Sequence, residues 1–592
     1  MPDALPSCTA SDTSLAERHS IGPVSWTTHA ADVRYVRWAG QEIIRRIFVT
    51  LRDRQWQEVP PSAWSCRATR KDDSLQLDLS ARHEAEGMQF AWQGVFAVNT
   101  RTPEISFTLT GTVPDEMIVN RLGLVVLHPT DGLVGGSAAA AGPSGQQTIE
   151  LNERIHPQPI VNSLPTGMSA PFTTLTTTFA NDRWVRFDFS GVLFEIEDQR
   201  NFGDTSFKSY CPPLALGFPR VLQPGTEIRH SMTCHVPEAF GTVSPGTNGQ
   251  AAHTVALPLR RAGATVPRIG AQLSAKDVIE CGLTHLRADI AAVSGKDSFT
   301  SVRDRLRPDQ RLELGLELDQ GDINDEMIAA MCDDPQIARI LLLEAGKTVI
   351  GRDLAERACR TLERHGCRVP VATAVNGYFV ELNRGVPADI GATGLAVAVC
   401  PTVHSGDVLT ATENIAALPA IVRTARELFP GREVTVSPLT LHLGPEPDPD
   451  VYAIASLSWL VGSVETVGHI GLSSITLGKD VLPDPAAHPE LADAWSSVLA
   501  LLNTARTSSK VTTAALPQRR LHAVAWRENA SEENLLVANL ADVDQTVTFD
   551  ADQEPYQTRT LWAPLDSTPR SDSQREFVVP AYGVVHVLAR TE

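Results

Sequence analysis

From about Pro267 onward, short apolar runs alternate with longer segments whose apolar residues recur every three or four positions, and this alternation constrains the fold more than any other feature. The strand candidates are Val266–Gln272, Thr284–Asp289, Arg311–Leu318, Ala338–Leu343, Val369–Val375, Gly394–Val399, Glu433–Pro438 and Gly471–Leu477. Between them lie amphipathic stretches such as Ser298–Leu306, Ile323–Cys332, Arg352–His365, Glu413–Phe429 and Val451–Val467. A strand followed by a helix that returns the chain for another parallel strand is the βαβ unit. Eight such units in about 210 residues match the count and size of a slightly compact (β/α)8 TIM barrel. Pro489–Thr504 supplies a final helix to close the ring.

The flanks read differently. From Ile21 to about Val243 the pattern is of short alternating runs, among them Val33–Trp38, Leu75–Ser80, Met88–Val98, Glu104–Leu109, Trp184–Phe189 and Glu227–Val236. About 220 residues of such strands predict a large two-sheet β-sandwich. After Ser508 strands return at His522–Trp526, Asn534–Asn539, Gln545–Phe549, Thr558–Trp562 and Phe577–Leu588, a small β-domain. The expected division is therefore 1–262, 263–507 and 508–592, with a linker-like stretch at Gly241–Gln250.

Composition narrows the chemistry. Fifty-one Lys and Arg against 70 Asp and Glu give a formal charge of -19, which repels phosphate backbones and anionic lipid, so neither nucleic acid nor membrane is an expected partner. The nine Cys are scattered, with no Cys-x-x-Cys pair, as in a reducing compartment. The first ten residues hold Asp3 and no apolar core segment, so no signal peptide is expected and the reading is cytoplasmic. The Asn529-Ala530-Ser531 sequon is then without consequence. A serine-hydrolase elbow, a zinc cluster, a Walker loop and a dinucleotide fingerprint are all missing, so no metal or other cofactor is expected. Carboxylate or histidine acid–base chemistry with water as nucleophile remains.

In a (β/α)8 barrel the chemistry sits at the C-terminal ends of the strands. Strand 2 ends in Arg287 and Asp289, strand 3 in Glu317 and Asp319, strand 4 in Glu344, and strand 5 in Asn376. Tyr378, Glu381 and Asn383 follow in the strand 5 loop. Strand 6 runs into Cys400-Pro401-Thr402-Val403-His404, strand 7 into Ser437-Pro438 and on to His442, and strand 8 into Thr476 and Lys479. A mouth of carboxylates, amides, one Arg and one or two His suits an uncharged, polyhydroxylated substrate. Glu317 and Asp319 are read as caps of the following helix, and His442 as a surface residue. A second dense constellation, Phe194–Tyr210, brings Glu197, Asp198, Arg200, Asn201, Asp204 and Lys208 together with four aromatic rings. It is expected to lean over the mouth.

Together with Asn376–Arg384 (NGYFVELNR), Cys400–His404 (CPTVH), Val436–Leu441 (VSPLTL), Arg52–Trp56 (RDRQW) and Leu127-His128-Pro129, that segment (FEIEDQRNFGDTSFKSY) resembles the D-apionate lactonase family. The resemblance runs in the same order over nearly the whole chain. It implies a barrel like that of clan-A glycoside hydrolases, flanked by β-domains, and hydrolysis of a branched pentose lactone in apiose catabolism. Three positions depart from the pattern: Leu477-Gly478-Lys479-Asp480 after the last strand, Phe202 where Trp is usual, and Ser405-Gly406-Asp407 after His404.

The leading expectation is a hydrolase that opens a sugar lactone. Glu381 first and Glu197 second are the expected bases, Glu344 the acid toward the ring oxygen, and Asn376, His404 or Arg287 the donors to the oxyanion. The alternative is a glycoside hydrolase using two of Glu197, Glu344 and Glu381, although strand 7 ends in Ser437-Pro438, where clan-A enzymes carry the nucleophilic Glu. A sugar-binding protein without catalysis is the third reading, and the surviving carboxylates argue against it. Asp289, Tyr378, Asp198, Arg200, Asn201, Asp204 and Lys208 are expected to bind substrate. The partner is thus a small sugar or sugar lactone, and the sequence leaves the oligomeric state open.

Overall fold

A computed structural model describes residues 8–9, 16–85, 87–237, 240, 255–256, 261–273, 282–319, 323–385, 392–441, 449–479, 481–516, 520–529, 532–548, 556–563 and 576–590. His442, the Gly241–Gln250 stretch, Asp480 and two residues of the sequon lie outside them. The chain divides into two compact units: residues 1–200 with 205–249, and residues 201–204 with 250–592.

The first unit is a sandwich of a ten-stranded and a seven-stranded antiparallel sheet. Alternation builds its core, because successive side chains of a strand face opposite ways. Leu75, Leu77, Leu79 and Ala81 of Ser74–Ala85 are buried, as are Phe90, Trp92, Phe96 and Val98 of Met88–Asn99. They pack in one cluster with Trp26, Val33, Val36, Ile47, Leu51, Leu124 and Val126 of the other sheet. The exposed residues between them, such as Gln76, Asp78 and Gln93, keep the outer face wet.

The second unit is built on a closed barrel of eight parallel strands: Arg268–Gln272, His285–Ala291, Arg311–Leu318, Ile337–Glu344, Val371–Ala374, Gly394–Val399, Glu433–Leu439 and Ser474–Leu477. Strand 1 pairs with strand 8, Arg268 beside Ser474, which closes the ring. All eight strands fall where the periodicity puts them. One helix does not: Glu413–Phe429 is instead Val408–Glu413, a 3-10 turn at Asn414–Ala417, and Leu418–Leu428. Pro419 has no N–H to donate into a preceding turn and suits a helix start, so a new helix begins there. The Phe379–Arg384 part of the expected strand 5 loop is a short helix. Asn324, whose side chain accepts from Met327 N at 3.0 Å, caps the helix after strand 3, so Glu317 and Asp319 do not.

The C-terminal strands form a six-stranded sheet, in which Leu521–Asn529, Glu532–Asn539 and Val584–Arg590 are central, and part of a three-stranded one that pairs Gln545–Thr548 with Glu576–Val579. Arg261–Ala262, just before the barrel, pairs with Val511–Leu516 of this sheet. The run Phe577–Leu588 is two strands, Glu576–Val579 and Val584–Arg590. Pro580 and the left-handed Tyr582, at φ 53°, turn the chain between them. Helix Pro449–Gly468 is tied to this sheet where His522 Nδ1 meets Glu465 Oε2 at 2.9 Å.

Candidate active site

The barrel interior has two characters. Across strands 4, 5 and 6 it is apolar, with Leu341, Leu343, Ala372, Ala374 and Ala396 packed together. Across strands 2, 3, 7 and 8, joined by Arg339 near the start of strand 4, it is a polar network centred on Glu313 of strand 3, which accepts from Ser437 Oγ and, at 3.0 Å, from Thr476 Oγ1. Thr476 also bonds His285 Nε2 at 2.9 Å, and Arg339 lies 3.5 Å from the second Glu313 oxygen. Burial raises the pKa of the Glu313 carboxyl, but its electrostatic interaction with the His285 ring, the charges of Arg287 and Arg339 and the Ser437 bond more than offset it and hold the group below its ordinary range. Burial pushes the His285 ring down to about 4, so at neutral pH it is uncharged and the two Arg supply the counter-charge.

Ser437 links this network to the mouth. Arg287 donates from Nη1 to Ser437 Oγ at 3.0 Å, and from Nε and Nη2 to the two oxygens of Asp289 at 3.0 and 3.2 Å. Strand pairing sets Asp289 beside Gly315, where an added Cβ would fall 1.9 Å from Asp289 Oδ1. Glycine at 315 therefore makes the space Asp289 fills. Arg287 and Asp289, predicted from the strand 2 ending, are brought together as a bidentate pair.

A second cluster forms where the loops after strands 5 and 6 meet residues 201–204, all within the same unit. His404 Nδ1 lies 2.5 Å from Asp204 Oδ2, and Asp204 Oδ1 accepts from Asn414 Nδ2 at 3.1 Å. Asn414 also holds the loop by donating to Pro401 O at 2.7 Å. Asn383 Nδ2 donates to Asn201 Oδ1 at 2.9 Å. Between these anchors the Phe202 ring sits 5.0 Å from His404, edge to face, and 6.3 Å from Tyr378. Gly203, at φ 95°, lies so close to the backbone oxygen of Cys400 that a Cβ would come within 2.9 Å of it. Asp204 is buried, while the His404 side chain is 23% exposed. A carboxylate at Nδ1 orients the imidazole ring and favours the proton on that nitrogen.

The other predicted residues lie elsewhere. Glu381, in the first turn of its short helix, is ion-paired with Arg384 at 3.0 Å. Asn376 is exposed at the end of strand 5, its backbone N–H bonded to Thr348 O at 2.8 Å. Glu344 does not join a catalytic cluster. Alternation along strand 4 turns Arg339, Leu341 and Leu343 inward and Glu344 toward the helices. There its carboxylate accepts from Gly351 N at 2.8 Å and pairs with Lys347 at 2.5 Å. The Lys347 bond first, and the Gly351 N–H second, hold its pKa below the ordinary value. A carboxylate so held is a poor proton donor. Lys479 is exposed after strand 8.

The rest belong to the first unit. Glu197 is ion-paired with Lys208 across adjacent strands and accepts from Gln158 Nε2 at 3.0 Å. Asp198 takes two bonds from the Arg200 guanidinium, at 2.9 and 2.7 Å, and one from its backbone N–H at 3.2 Å. All five are buried.

Sequence reasoning missed Glu313, His285 and Asn414. Glu313 had a signal: a strand inside a parallel barrel normally reads as a continuous apolar run, and Arg311–Leu318 instead alternates Leu with Glu or Gly. Asn414 had none, since only the folded loop brings it to Asp204.

Two family models match the chain: D-apionate lactonase, N-terminal domain, over residues 6–239, and D-apionate lactonase, TIM barrel domain, over residues 351–453. The chain is 23% identical over 459 residues to the D-apionate lactonase of Brucella anthropi, covering 72% of this chain and 73% of that one. Among solved structures it is similar to a GH30 endoxylanase from Clostridium papyrosolvens, with 9% identity and a TM-score of 0.37, covering 57% of this chain and 100% of that one. A 4-O-alpha-L-rhamnosyl-beta-D-glucuronidase from Fusarium oxysporum gives 10% identity and a TM-score of 0.37, over 57% of this chain and 99% of that one.

Proposed function

Because the chain belongs to the D-apionate lactonase family and is a hydrolase, we propose that it opens a five-carbon sugar lactone of the apionolactone type, with His404 as the general base. The observation that carries the reading is the Asp204–His404 pair, held by Asn414 and walled by Phe202 and Tyr378.

In this reaction His404 Nε2 takes a proton from water as the water oxygen attacks the lactone carbonyl carbon. The carbonyl π electrons move to oxygen, giving the oxyanion of a tetrahedral intermediate. As the tetrahedral intermediate collapses, the bond to the ring oxygen breaks and the leaving oxygen takes the proton from the imidazolium. The product is a hydroxy acid, which ionises in water. Asp204 stabilises the imidazolium without itself accepting the proton. This assignment moves the base from Glu381 to His404, because a buried carboxylate orients His404 while Glu381 is engaged with Arg384. Asp289, oriented by Arg287, accepts from substrate hydroxyls, and the Phe202 and Tyr378 rings pack against the C–H face of the ring.

The test is a panel of aldonolactones, D-apionolactone among them, and aryl glycosides presented to the purified protein, with acid release followed by pH-stat and aryl release by absorbance. One acid per lactone consumed, without aryl release, is expected. Aryl release with no lactone turnover would replace the lactonase reading with a glycosidase.

A further inference from the structure

The Arg52–Trp56 segment takes no part in the reaction above, yet it lies against an unusual cation. Arg52 and Arg121 are direct partners on neighbouring antiparallel strands, Gln41–Arg52 and Arg121–Pro129, and so share one face of the seven-stranded sheet. Like charges opposed in this way repel. Arg52 has partners: Nη1 donates to Trp56 O at 3.3 Å, and Nη2 lies 4.0 Å from Glu58. Arg121 is 6% exposed, and its buried Nε has no hydrogen-bond partner among the described residues. Its guanidinium carbon stands 3.9 Å from the Tyr210 ring centroid and 5.4 Å from that of Trp56.

The neighbouring carboxylates are committed elsewhere. Glu195 accepts from Tyr210 Oη at 2.7 Å, from Leu214 N at 2.9 Å and from Gly167 N at 2.8 Å, while Glu197 is paired with Lys208. The charge of Arg121 is thus met by ring faces rather than by an anion, an incomplete arrangement for a buried guanidinium. Trp56 is 36% exposed, sits in the left-handed region at φ 66°, and meets Phe218 edge to face at 4.8 Å. A cation lacking an acceptor beside an exposed aromatic wall is a receptor for an anion that carries a carbon skeleton.

We propose that Arg121 and Trp56 form a binding site on the first unit for a small organic carboxylate. The carboxylate pairs with the planar Arg121 fork and its carbon skeleton packs on the Trp56 indole, with Phe218 behind it. Inorganic phosphate meets the guanidinium and gains nothing from the rings, which sets the ligand class. The site does not depend on the lactonase reading.

Calorimetric titration of the full chain with sodium gluconate, sodium benzoate and inorganic phosphate tests it. The expected result is saturable binding of at least one carboxylate, weakened tenfold or more by Arg121→Gln and severalfold by Trp56→Ala, with lactone turnover unchanged in both variants. Trp56 is at the surface, so Trp56→Ala carries the test alone if Arg121→Gln does not fold. No binding of either carboxylate, binding of phosphate only, or carboxylate binding unchanged in the variants would overturn the proposal.

Discussion

Asp204 and His404, 200 positions apart in the chain, meet at 2.5 Å between Oδ2 and Nδ1. In the proposed reaction the carboxylate orients the imidazole and stabilises the charge that it gains as base. Asp204→Asn keeps the size and removes the charge, so kcat for lactone opening is expected to fall about 10²- to 10⁴-fold, the range for losing oriented acid–base help, with KM little changed. Steady-state acid release measures it, and a kcat within a few-fold of wild type would separate Asp204 from the chemistry.

Gly315→Ala tests the Arg287–Asp289 pair without touching either residue. The added Cβ falls 1.9 Å from Asp289 Oδ1, so the carboxylate has to leave its bidentate contact. A stability loss of about 1–3 kcal/mol is expected from overpacking, with a raised KM for lactone. Denaturant unfolding and initial rates read the two effects separately.

His285 gives the barrel an acid-sensitive point. Its folded pKa is about 4, set chiefly by burial, against an ordinary value near 6.5, so between those values the unfolded chain binds the proton and the folded chain does not. Stability is therefore lost as pH falls from 6.5 toward 4, by roughly 3 kcal/mol at 1.36 kcal/mol per pH unit. His285→Gln removes that slope. Urea unfolding at pH 7 and pH 4.5 should show the wild type losing more stability than the variant, and equal losses would contradict the assignment.

Glu344 is expected to matter for the fold of its loop and not for turnover. Its carboxyl is held below the ordinary value by Lys347 and Gly351, so its stabilising effect is present above the ordinary carboxylate range and lost as pH falls through the lowered value. Glu344→Gln should melt earlier than wild type at pH 7, with the difference fading in acid, while lactone turnover stays within a few-fold. A large fall in kcat would return Glu344 to the catalytic set.

The barrel was legible because each of its elements carries its own period: Gly394–Val399 begins and ends where its apolar run does, and Arg311–Leu318 where its alternation of Leu with Glu or Gly does. The site was legible in its residues more than in their roles. Asp204 and Asn201 stood out as polar groups among aromatic ones and His404 by its place in the loop after strand 6, but the pairing of Asp204 with His404 spans 200 positions and has no local signature. Glu344 shows the opposite failure. Its place at a strand end suggested catalysis, whereas the inward or outward parity of that strand, visible only once Leu341 and Leu343 are seen to fill the interior, decides that it faces the helices.

The most direct test of His404 as the general base is the kcat/KM of His404→Gln for D-apionolactone, followed by pH-stat beside the wild type. The folded variant is expected to lose about 10²- to 10⁴-fold, as when a general base is removed. Turnover of the lactone by His404→Gln at the wild-type rate would contradict that role.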